Sequence, residues 1–377
     1  LVALFFAYKA APFWIWSALG VFVLSQFSFS IPFWVGYFLV SAVFIVPDFR
    51  RYLVTKPIIV LIGRLGMLPK ISDTEKTALT SGDAWIDADL FSGRPNFKEI
   101  LSQYYPKLKK EEREFIDDKV EKLCAMTDDF EVYQEKDLSK KTWDYLAKEK
   151  FFGMIIPKQY GGLGFSAYGH SCVIEKLASR CVPLAITAMV PNSLGPAELL
   201  LKYGTKKQKD YYLPRLANGQ EIPCFALTEP LAGSDATSIN SDGVVFKDEK
   251  GAVKIRLNFS KRYITLGAKA TLIGLAFVLK DPEGLLGGKK GQIGITCALL
   301  SNKIKGLVLG RRHDPLATPF VNSPINGVNV EITLDQIIGG VNNAGKGWKM
   351  LMECLAAGRG ISLPSTASGG SKLVLRA

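Results

Sequence analysis

The sequence predicts an α+β protein in which a helical domain, a β-barrel-like domain and the start of a second helical domain follow a transmembrane segment. No charged residue occurs from Ala10 to Pro47. Apolar residues then recur at helical spacing, until short alternating or apolar runs separated by turn residues replace that pattern. The predicted parts are a transmembrane segment (1–47), a membrane-proximal linker (48–110), a helical domain (111–222), a β domain (223–343) and the beginning of a further helical domain (344–377).

The uncharged run is about twice as long as the ~20 residues that one helical crossing of a bilayer needs. Pro32 divides it, so two tight crossings fit, and so does one crossing plus a hydrophobic segment that does not cross. Arg50 and Arg51 follow, and this positive charge predicts that the rest of the chain is cytoplasmic. The alternative is a buried hydrophobic hairpin in a soluble protein. The segment KPIIVLIGRLGML (56–68) fits either a helix on the membrane surface or a core helix.

Local signals define the elements that follow. SDTE (72–75) and TKKQ (205–208) fit capping boxes, in which a hydroxyl and a carboxylate or amide satisfy free backbone amides of the first helical turn. In the β domain, KIRLNFS alternates, with Ile255, Leu257 and Phe259 on one face. These patterns predict mainly helices before the junction at about residue 223 and strands after it.

Composition narrows the class of partner. The formal net charge of +12 fits an anionic membrane surface or a polyanionic metabolite, and no long basic run or nucleic-acid motif predicts a nucleic-acid partner. The six cysteines are scattered without CxxC spacing, which is typical of inert thiols in a reduced compartment. With only His170 and His313 present, we expect structural histidines and no metal site.

A polar stretch, CFALTEPLAGSDATSI (224–239), lies where the helical pattern ends and the strand pattern begins. Taken alone it fits a surface turn, because Pro, Gly, Ser and Asp collect where a chain reverses. Ligand clefts, however, are common at domain boundaries. A second polar cluster, KRYITLG (261–267), follows one strand later.

Together these two clusters resemble the acyl-CoA dehydrogenase family, whose middle domain carries a TEPxAGSD signature followed by an aromatic-x-Thr element. Further segments resemble the family in the family's order: GGLGFSAYGHSCVIEKLA, NSLGPAELLLKYGTKKQKDYYLPRLANGQ, IIGGVNNAGKGW and LAAGR. The resemblance runs from about residue 71 to the end of the sequence. With the apolar N-terminus, it is closest to bacterial membrane-associated long-chain enzymes of the FadE type.

The resemblance implies FAD as cofactor and assigns roles to individual residues. Thr228 would donate to the flavin edge, Tyr263 would cover a ring face and Thr265 would bond near N5. Glycine at position 233 fits a place in the cofactor site on physical grounds, because a residue without Cβ lets a ligand come close to the backbone. Ser234 would lie between flavin and the pantetheine arm of the substrate, with Arg359 as a further substrate-side residue. The implied cofactor-binding set is Phe225, Leu227, Thr228, Gly233, Ser234, Tyr263, Ile264 and Thr265.

The family reaction also needs a carboxylate base that removes a proton from the α carbon, in a dry site that raises its pKa. In some branches of the family the base precedes the Arg that matches Arg359, but Gly358 occupies that position here. Glu353 is five residues too early. We therefore expect a catalytic base beyond Ala377 and a sequence that is a fragment. The sequence departs from the family pattern at two positions: Tyr263 replaces the Trp that is common in the family, and Leu231 stands where a small residue is frequent. Both departures imply that the flavin packs differently here.

The expected function is dehydrogenation of long-chain acyl-CoA to trans-2-enoyl-CoA in fatty-acid β-oxidation, with electrons passed to an electron-transfer flavoprotein. The expected location is the bacterial inner membrane with the soluble domains in the cytoplasm, and the complete protein is expected to form a homo-oligomer. Two alternatives are an acyl-CoA oxidase and a non-catalytic, membrane-tethered acyl-CoA-binding module.

Overall fold

The computed structural model describes residues 2–65, 76, 80, 86–93, 95–288, 290–315 and 318–376. They divide into two compact units, Leu1–Ser72 and Asp73–Ala377, which are described separately. The proposed capping box at 72–75 lies outside the described residues.

The described residues of the first unit form four helices: α1 (Val2–Tyr8), α2 (Phe13–Leu24), α3 (Ile31–Ile45) and α4 (Pro47–Arg64). Helices α2 and α3 form an antiparallel hairpin, because Ser17 Oγ and Ser41 Oγ are hydrogen-bonded at 2.8 Å and the Tyr37 hydroxyl donates to the Ser17 carbonyl at 2.8 Å. Pro32 lies in the first turn of α3, where proline is tolerated because its missing N–H has no helical partner. It therefore begins the second arm of the hairpin.

The structure does not confirm a full-length transmembrane helix in this unit. Among the described residues, one single helical stretch is long and apolar enough to cross a membrane by length and composition, Val182–Tyr203. It belongs to the second unit, where 78% of its apolar window is buried. In the first unit, Ile31–Ile45 and Pro47–Arg64 meet the criterion only when counted together across a bend of 82°. The hairpin arm α2 has only 12 residues.

The second unit begins with short helices and continues into a helical domain. The helices are α5 (Asp87–Phe91), α6 (Phe97–Ser102), α7 (Lys110–Phe115), α8 (Glu121–Ala125), α9 (Asp129–Glu135), α10 (Lys140–Lys148), α11 (Ala167–Ala178), α12 (Val182–Ser193), α13 (Pro196–Tyr203) and α14 (Lys206–Ala217). The capping box at the start of α14 is confirmed: the Gln208 backbone N–H donates to Thr205 Oγ1 at 3.2 Å, and the Thr205 backbone N–H donates to Gln208 Oε1 at 3.0 Å. The core of this domain includes Phe151, Phe152 and Leu184, all essentially buried.

The described residues that follow form seven strands: β1 (Pro223–Ala226), β2 (Asp242–Lys247), β3 (Val253–Thr265), β4 (Leu272–Asp281), β5 (Gly291–Ser301), β6 (Leu307–Leu309) and β7 (Asn322–Thr333). They form one sheet in the order β1-β4-β2-β3-β7-β6, with β5 paired to β4. Among the described strands no pairing joins β5 to β6, so the sheet is open at these two edges and is not a closed barrel. The predicted alternation in β3 is confirmed, because Ile255, Leu257 and Phe259 are all buried.

The chain then returns to helix. Helix α15 (Gly347–Ala357) continues through a π-helical turn at Gly358–Ser362 into α16 (Leu363–Arg376). Helix α16 packs against α11, where the hydroxyls of Ser365 and Ser171 are 2.7 Å apart. This packing closes one side of the helical domain.

Within the described part of the chain, no group of three or more His, Cys, Asp or Glu side chains is arranged so that it could bind a metal ion. All six cysteines are free, and five of them are buried. Burial raises the pKa of the Cys124 thiol to about 11 and that of the Cys297 thiol to about 12, so both are protonated thiols at neutral pH.

Candidate functional site

The candidate site lies where the loop after β1 meets the C-terminal end of β3. The Arg262 amide N–H donates to the Thr228 carbonyl at 3.0 Å. This bond brings the two polar clusters of the sequence, 224–239 and 261–267, side by side. Phe225, near the start of the first cluster, lies in β1, and its ring fills the space over Gly274 of β4, where a Cβ atom would lie 2.5 Å from the ring.

A buried ion pair fastens the loop to β3. Lys261 Nζ lies 2.7 Å from Glu229 Oε1 and also donates to the Leu227 carbonyl at 3.0 Å. Both side chains are buried, Lys261 completely. The Glu229 carboxylate also accepts hydrogen bonds from the backbone N–H groups of Asn240, at 2.6 Å, and Ser241, at 3.1 Å. A single pair therefore holds both ends of the loop.

The protonation of this pair follows from its surroundings. Burial acts to raise the pKa of Glu229, but the hydrogen bonds from Lys261 and Ser241 and the charge of Lys261 outweigh it and leave the pKa lowered. Burial lowers the pKa of Lys261 to about 8. At neutral pH both groups are therefore charged.

Sequence reasoning missed this pair, although a signal was present. Every second residue of β3 points inward, and Lys261 is the next inward position after Leu257 and Phe259. A lysine at an inward position of a strand requires a buried partner, because an unpaired charge in the interior is very costly. Glu229, within the TEP motif, is that partner.

Tyr263 is held in an unusual backbone conformation. Its φ is +56°, in the left-handed region that non-glycine residues rarely adopt, and it lies where the pairing of β3 with β7 shifts between Lys261 and Ile264. The bulge turns its side chain outward, so that about half of it, 49%, is exposed. The Arg262 guanidinium lies 4.4 Å from the ring centroid and donates to the Tyr263 hydroxyl at 3.0 Å.

His313 is a second neighbour of Tyr263 that the sequence did not assign to the site. Its ring centroid lies 4.8 Å from that of Tyr263, and the Tyr263 amide donates to His313 Nε2 at 3.4 Å. The His313 amide in turn donates to the Asn322 carbonyl at 2.8 Å. No local signal marks this residue, because only the pairing of β7 with β3 brings its loop to Tyr263.

The remaining predicted residues take different positions around this bulge. Ile264 is buried with its side chain in the core, so any contact with a cofactor would use its main chain. Ser234 is exposed. A Cβ atom built on Gly233 would meet no other atom within 4 Å, so the protein leaves that side of the backbone open.

Three hydroxyl side chains of the predicted set have no partner within the described part of the protein. Thr228 and Thr265 are half-buried and Ser234 is exposed, and none of their hydroxyls forms a hydrogen bond with a described residue. Beside Thr265, its β7 partner Asn322 has a buried Oδ1 atom without a hydrogen-bond partner. Hydrogen-bonding capacity that the protein does not use fits the polar edge of a bound flavin.

Glu353, the carboxylate nearest in sequence to the family's base position, is committed elsewhere. Its carboxylate lies 2.5 Å from Lys202 Nζ, accepts a hydrogen bond from the Tyr203 hydroxyl and is 3.9 Å from Lys349 Nζ. The hydrogen bonds from Lys202 and Tyr203 lower its pKa. A general base for the family reaction needs the opposite shift.

The neighbouring position has little room for a carboxylate. A Cβ atom on Gly358 would lie 2.4 Å from Leu194 Cδ2 and 3.0 Å from the Ser193 carbonyl oxygen. Arg359 lies in the π-helical turn, but its side chain is outside the part that the structure describes. Its predicted substrate-side role therefore stays a prediction.

Comparison with known proteins agrees with this architecture. The family model for the acyl-CoA dehydrogenase N-terminal domain matches residues 105–220, and the model for the middle domain matches residues 224–327. Among solved structures, butyryl-CoA dehydrogenase from Megasphaera elsdenii has a similar fold, with a TM-score of 0.62 at 24% identity over 72% of this chain and 68% of that one.

Curated proteins are also similar to this chain in sequence. Acryloyl-CoA reductase (NADH) of Anaerotignum propionicum is 28% identical over 69% of this chain and 61% of its own length. Very long-chain specific acyl-CoA dehydrogenase of Rattus norvegicus is 30% identical over 59% of this chain and 33% of its own. A shorter match, to protein HemX of Proteus mirabilis, is 51% identical over 25% of this chain and 55% of that protein.

The chain spans less than two thirds of the first curated relatives, 55% to 64% of their lengths. Both domain models nevertheless match contiguous parts of the second unit, one across its helices and one across its sheet. The chain therefore belongs to the acyl-CoA dehydrogenase family of FAD-dependent oxidoreductases that act on CH–CH groups.

Proposed function

We propose that this chain forms the flavin-facing and thioester-facing wall of an enzyme that oxidises long-chain acyl-CoA to trans-2-enoyl-CoA. One observation carries the proposal. Two segments meet at the hydrogen bond between Arg262 and Thr228, and they carry three hydroxyl groups that form no hydrogen bond with any described residue: those of Thr228, Ser234 and Thr265. Hydroxyl donors held on a rigid strand and loop are suited to a ligand edge that gains negative charge.

Each residue of the wall has a separate task. Bound FAD would supply the two-electron acceptance that a CH–CH oxidation requires. Thr228 and Thr265 would donate hydrogen bonds toward its polar edge, and Tyr263 would present its ring to a face. Ser234, which is more exposed on the same loop, would face the thioester. The Lys261–Glu229 pair keeps the loop in position, because it links the loop to β3 from both of its ends.

The finer identity of the reaction is part of the proposal. A long-chain substrate is supported by the similarity to the very long-chain specific dehydrogenase, and transfer of electrons to an electron-transfer flavoprotein is proposed with it. Assembly as a homo-oligomer is proposed with them. A location at the bacterial inner membrane, with the second unit in the cytoplasm, is supported by the uncharged run and the arginines that follow it.

The test uses the natural full-length protein purified in detergent. Palmitoyl-CoA is added without oxygen, and the visible absorption of the flavin is followed, with butyryl-CoA as the short-chain control. We expect bleaching by palmitoyl-CoA and much slower bleaching by butyryl-CoA. A flavin that neither thioester bleaches would contradict the proposed reaction. A protein that purifies without flavin would favour the acyl-CoA-binding module.

A second measurement separates the dehydrogenase from the oxidase. After bleaching, air is admitted with or without an electron-transfer flavoprotein. We expect slow return of colour in air alone and rapid return with the flavoprotein. Rapid return in air with stoichiometric hydrogen peroxide would identify an oxidase.

A further inference from the structure

We propose that the first unit is a monotopic membrane anchor: the α2–α3 hairpin enters the bilayer and returns to the same side, while α4 lies along the surface against anionic headgroups. The proposal rests on the membrane location proposed above, but not on the reaction. It replaces the two topologies that the sequence left open, each of which includes a crossing, with an arrangement in which neither arm crosses.

The two arms of the hairpin are apolar on the outside and polar on the inside. Trp14, Phe22 and Phe38 are each more than half exposed, whereas Ser17 and Ser41 are buried between the arms at 8% and 5% exposure. In water this surface would be costly, since apolar area contributes roughly 25 cal/mol per Å² when it is removed from water. In lipid the same arrangement is favourable, because the surroundings are apolar and polar groups must be satisfied internally.

The polar groups between the arms satisfy that requirement. The Ser17 and Ser41 hydroxyls bond to each other, and the Tyr37 hydroxyl donates to a main-chain carbonyl of the opposite arm. At the tip, Ser25 Oγ and Gln26 Nε2 both donate to the Phe22 carbonyl, which lies at the open end of α2. The tip residues therefore use polar side chains to cap the helix.

The arms are too short to cross. Helix α2 has 12 residues and α3 has 15, so at 1.5 Å per residue they are about 18 and 22 Å long. The hydrocarbon core of a bilayer is about 30 Å thick. A hairpin that starts at the interface would therefore end with its tip, residues 25–30, inside the hydrocarbon.

Helix α4 leaves the hairpin in the direction that a surface helix needs. The bend between Ile31–Ile45 and Pro47–Arg64 is 82°, so an α3 that is perpendicular to the membrane leaves α4 nearly parallel to it. After Asp48, α4 carries Arg50, Arg51, Lys56 and Arg64 and no acidic residue, together with exposed apolar side chains such as Ile59. Basic and apolar residues on one helix are typical of binding to anionic lipid surfaces.

The test is cysteine accessibility in the full-length protein, expressed in a bacterial host and probed with a membrane-impermeant maleimide. Ser28→Cys reports on the tip, and Thr55→Cys, in α4, is the matched control on the proposed cytoplasmic side. The parent protein measures the background from its own cysteines.

In spheroplasts we expect neither variant to be labelled. In inverted membrane vesicles Thr55→Cys is labelled and Ser28→Cys is not, and in detergent both are labelled. Labelling of Ser28→Cys in spheroplasts would show that the hairpin crosses and would overturn the proposal. Recovery of the protein in the soluble fraction would also overturn it, and would remove the proposed membrane location with it. Neither result depends on flavin bleaching, so failure of the anchor and failure of the proposed reaction are distinguishable.

Discussion

Two apolar stretches of this chain arrange their side chains in opposite ways. In the α2–α3 hairpin, large apolar side chains are exposed and two serines are buried between the arms. In Val182–Tyr203, by contrast, the apolar side chains are buried among other helices of the second unit, and Leu184 and Leu199 are completely inaccessible. Apolar composition alone therefore does not separate an exposed apolar hairpin from a core helix. Both stretches bury polar side chains, Ser17 and Ser41 in one and Asn192 in the other, and they differ in whether the large apolar side chains are exposed.

The second unit also buries polar groups, but at a different cost. In the hairpin the buried pair is neutral, Ser17 with Ser41. In the sheet it is charged, Lys261 with Glu229. Loss of one partner from a buried ion pair leaves an uncompensated charge, whereas loss of one hydroxyl leaves only a modest deficit. The predictions below follow this difference from the largest effect to the smallest.

The largest effect is expected at the buried ion pair. Lys261→Met leaves the Glu229 carboxylate buried without its counter-charge, and we expect the free energy of unfolding to fall by about 3–5 kcal/mol. The control is Arg256→Ala, which removes an exposed pair with Glu331 and costs about 0–1 kcal/mol. Urea unfolding of the full-length protein measures both. A double variant, Lys261→Met with Glu229→Gln, should recover part of the lost stability. If Lys261→Met cost no more than the control Arg256→Ala, the role of the buried pair would be contradicted.

The next effect concerns the lipid-facing surface. Phe22→Arg places a charge on the exposed face of α2, and a charged residue near the bilayer centre costs about 2.5–3.5 kcal/mol on insertion scales. We expect a clear loss of protein from the membrane fraction after carbonate extraction. Ser17→Ala, on the inner face, should retain the protein in the membrane because it leaves the apolar surface unchanged. Equal retention of the two variants would show that the exposed face is not in lipid.

A smaller effect is expected at the flavin-facing wall. Thr265→Val removes a hydroxyl that the described protein does not use, so fold stability should change little while the affinity for FAD falls by about tenfold, the equivalent of one hydrogen bond. Thr265→Ser keeps the hydroxyl and serves as the control. Titration of the apoprotein with FAD, followed by flavin fluorescence, measures both. A valine variant that binds FAD as tightly as the serine variant would remove Thr265 from the site.

The smallest effect is a dependence on pH. The pKa of Glu229 in the folded protein lies below its ordinary value of 4.5, so its contribution to stability is complete above that value and is lost as the pH falls through the lowered pKa. Glu229→Gln should flatten the acid limb of the stability curve by at most about 1.4 kcal/mol per pH unit, the limit for one proton. Chemical unfolding between neutral pH and acid measures it. An unchanged acid limb would mean that Glu229 is not ionised in the folded state.

Much of the second unit was predictable because its signals are local. The alternation through Ile255, Leu257 and Phe259 and the capping box at Thr205 depend on residues a few positions apart, and both are present in the structure. The two polar clusters were predicted as parts of one site, and the structure brings their main chains together at Thr228 and Arg262. Whether they contact flavin stays a prediction.

The first unit shows where local signals end. The uncharged run, divided at Pro32, predicted one crossing or two, and the structure divides it into helices of 12 and 15 residues on either side of Ser25–Ser30. The sequence marked the division of the run, but not the lengths of the two helices. Likewise, the expected barrel was an open sheet among the described strands, because closure depends on pairing between edges that are distant in sequence.

By itself, therefore, the sequence determined the family and the order of helices and strands, because these depend on composition, periodicity and short motifs; the flavin-facing wall that it indicated stays a prediction. Only the tertiary structure decided that Lys261 pairs with Glu229, that His313 lies against Tyr263 and that Ser17 meets Ser41. These contacts join residues between 24 and 50 positions apart. They depend on strand register, on a bulge in β3 and on the antiparallel alignment of two helices, and free energies of packing across the whole unit determine all three.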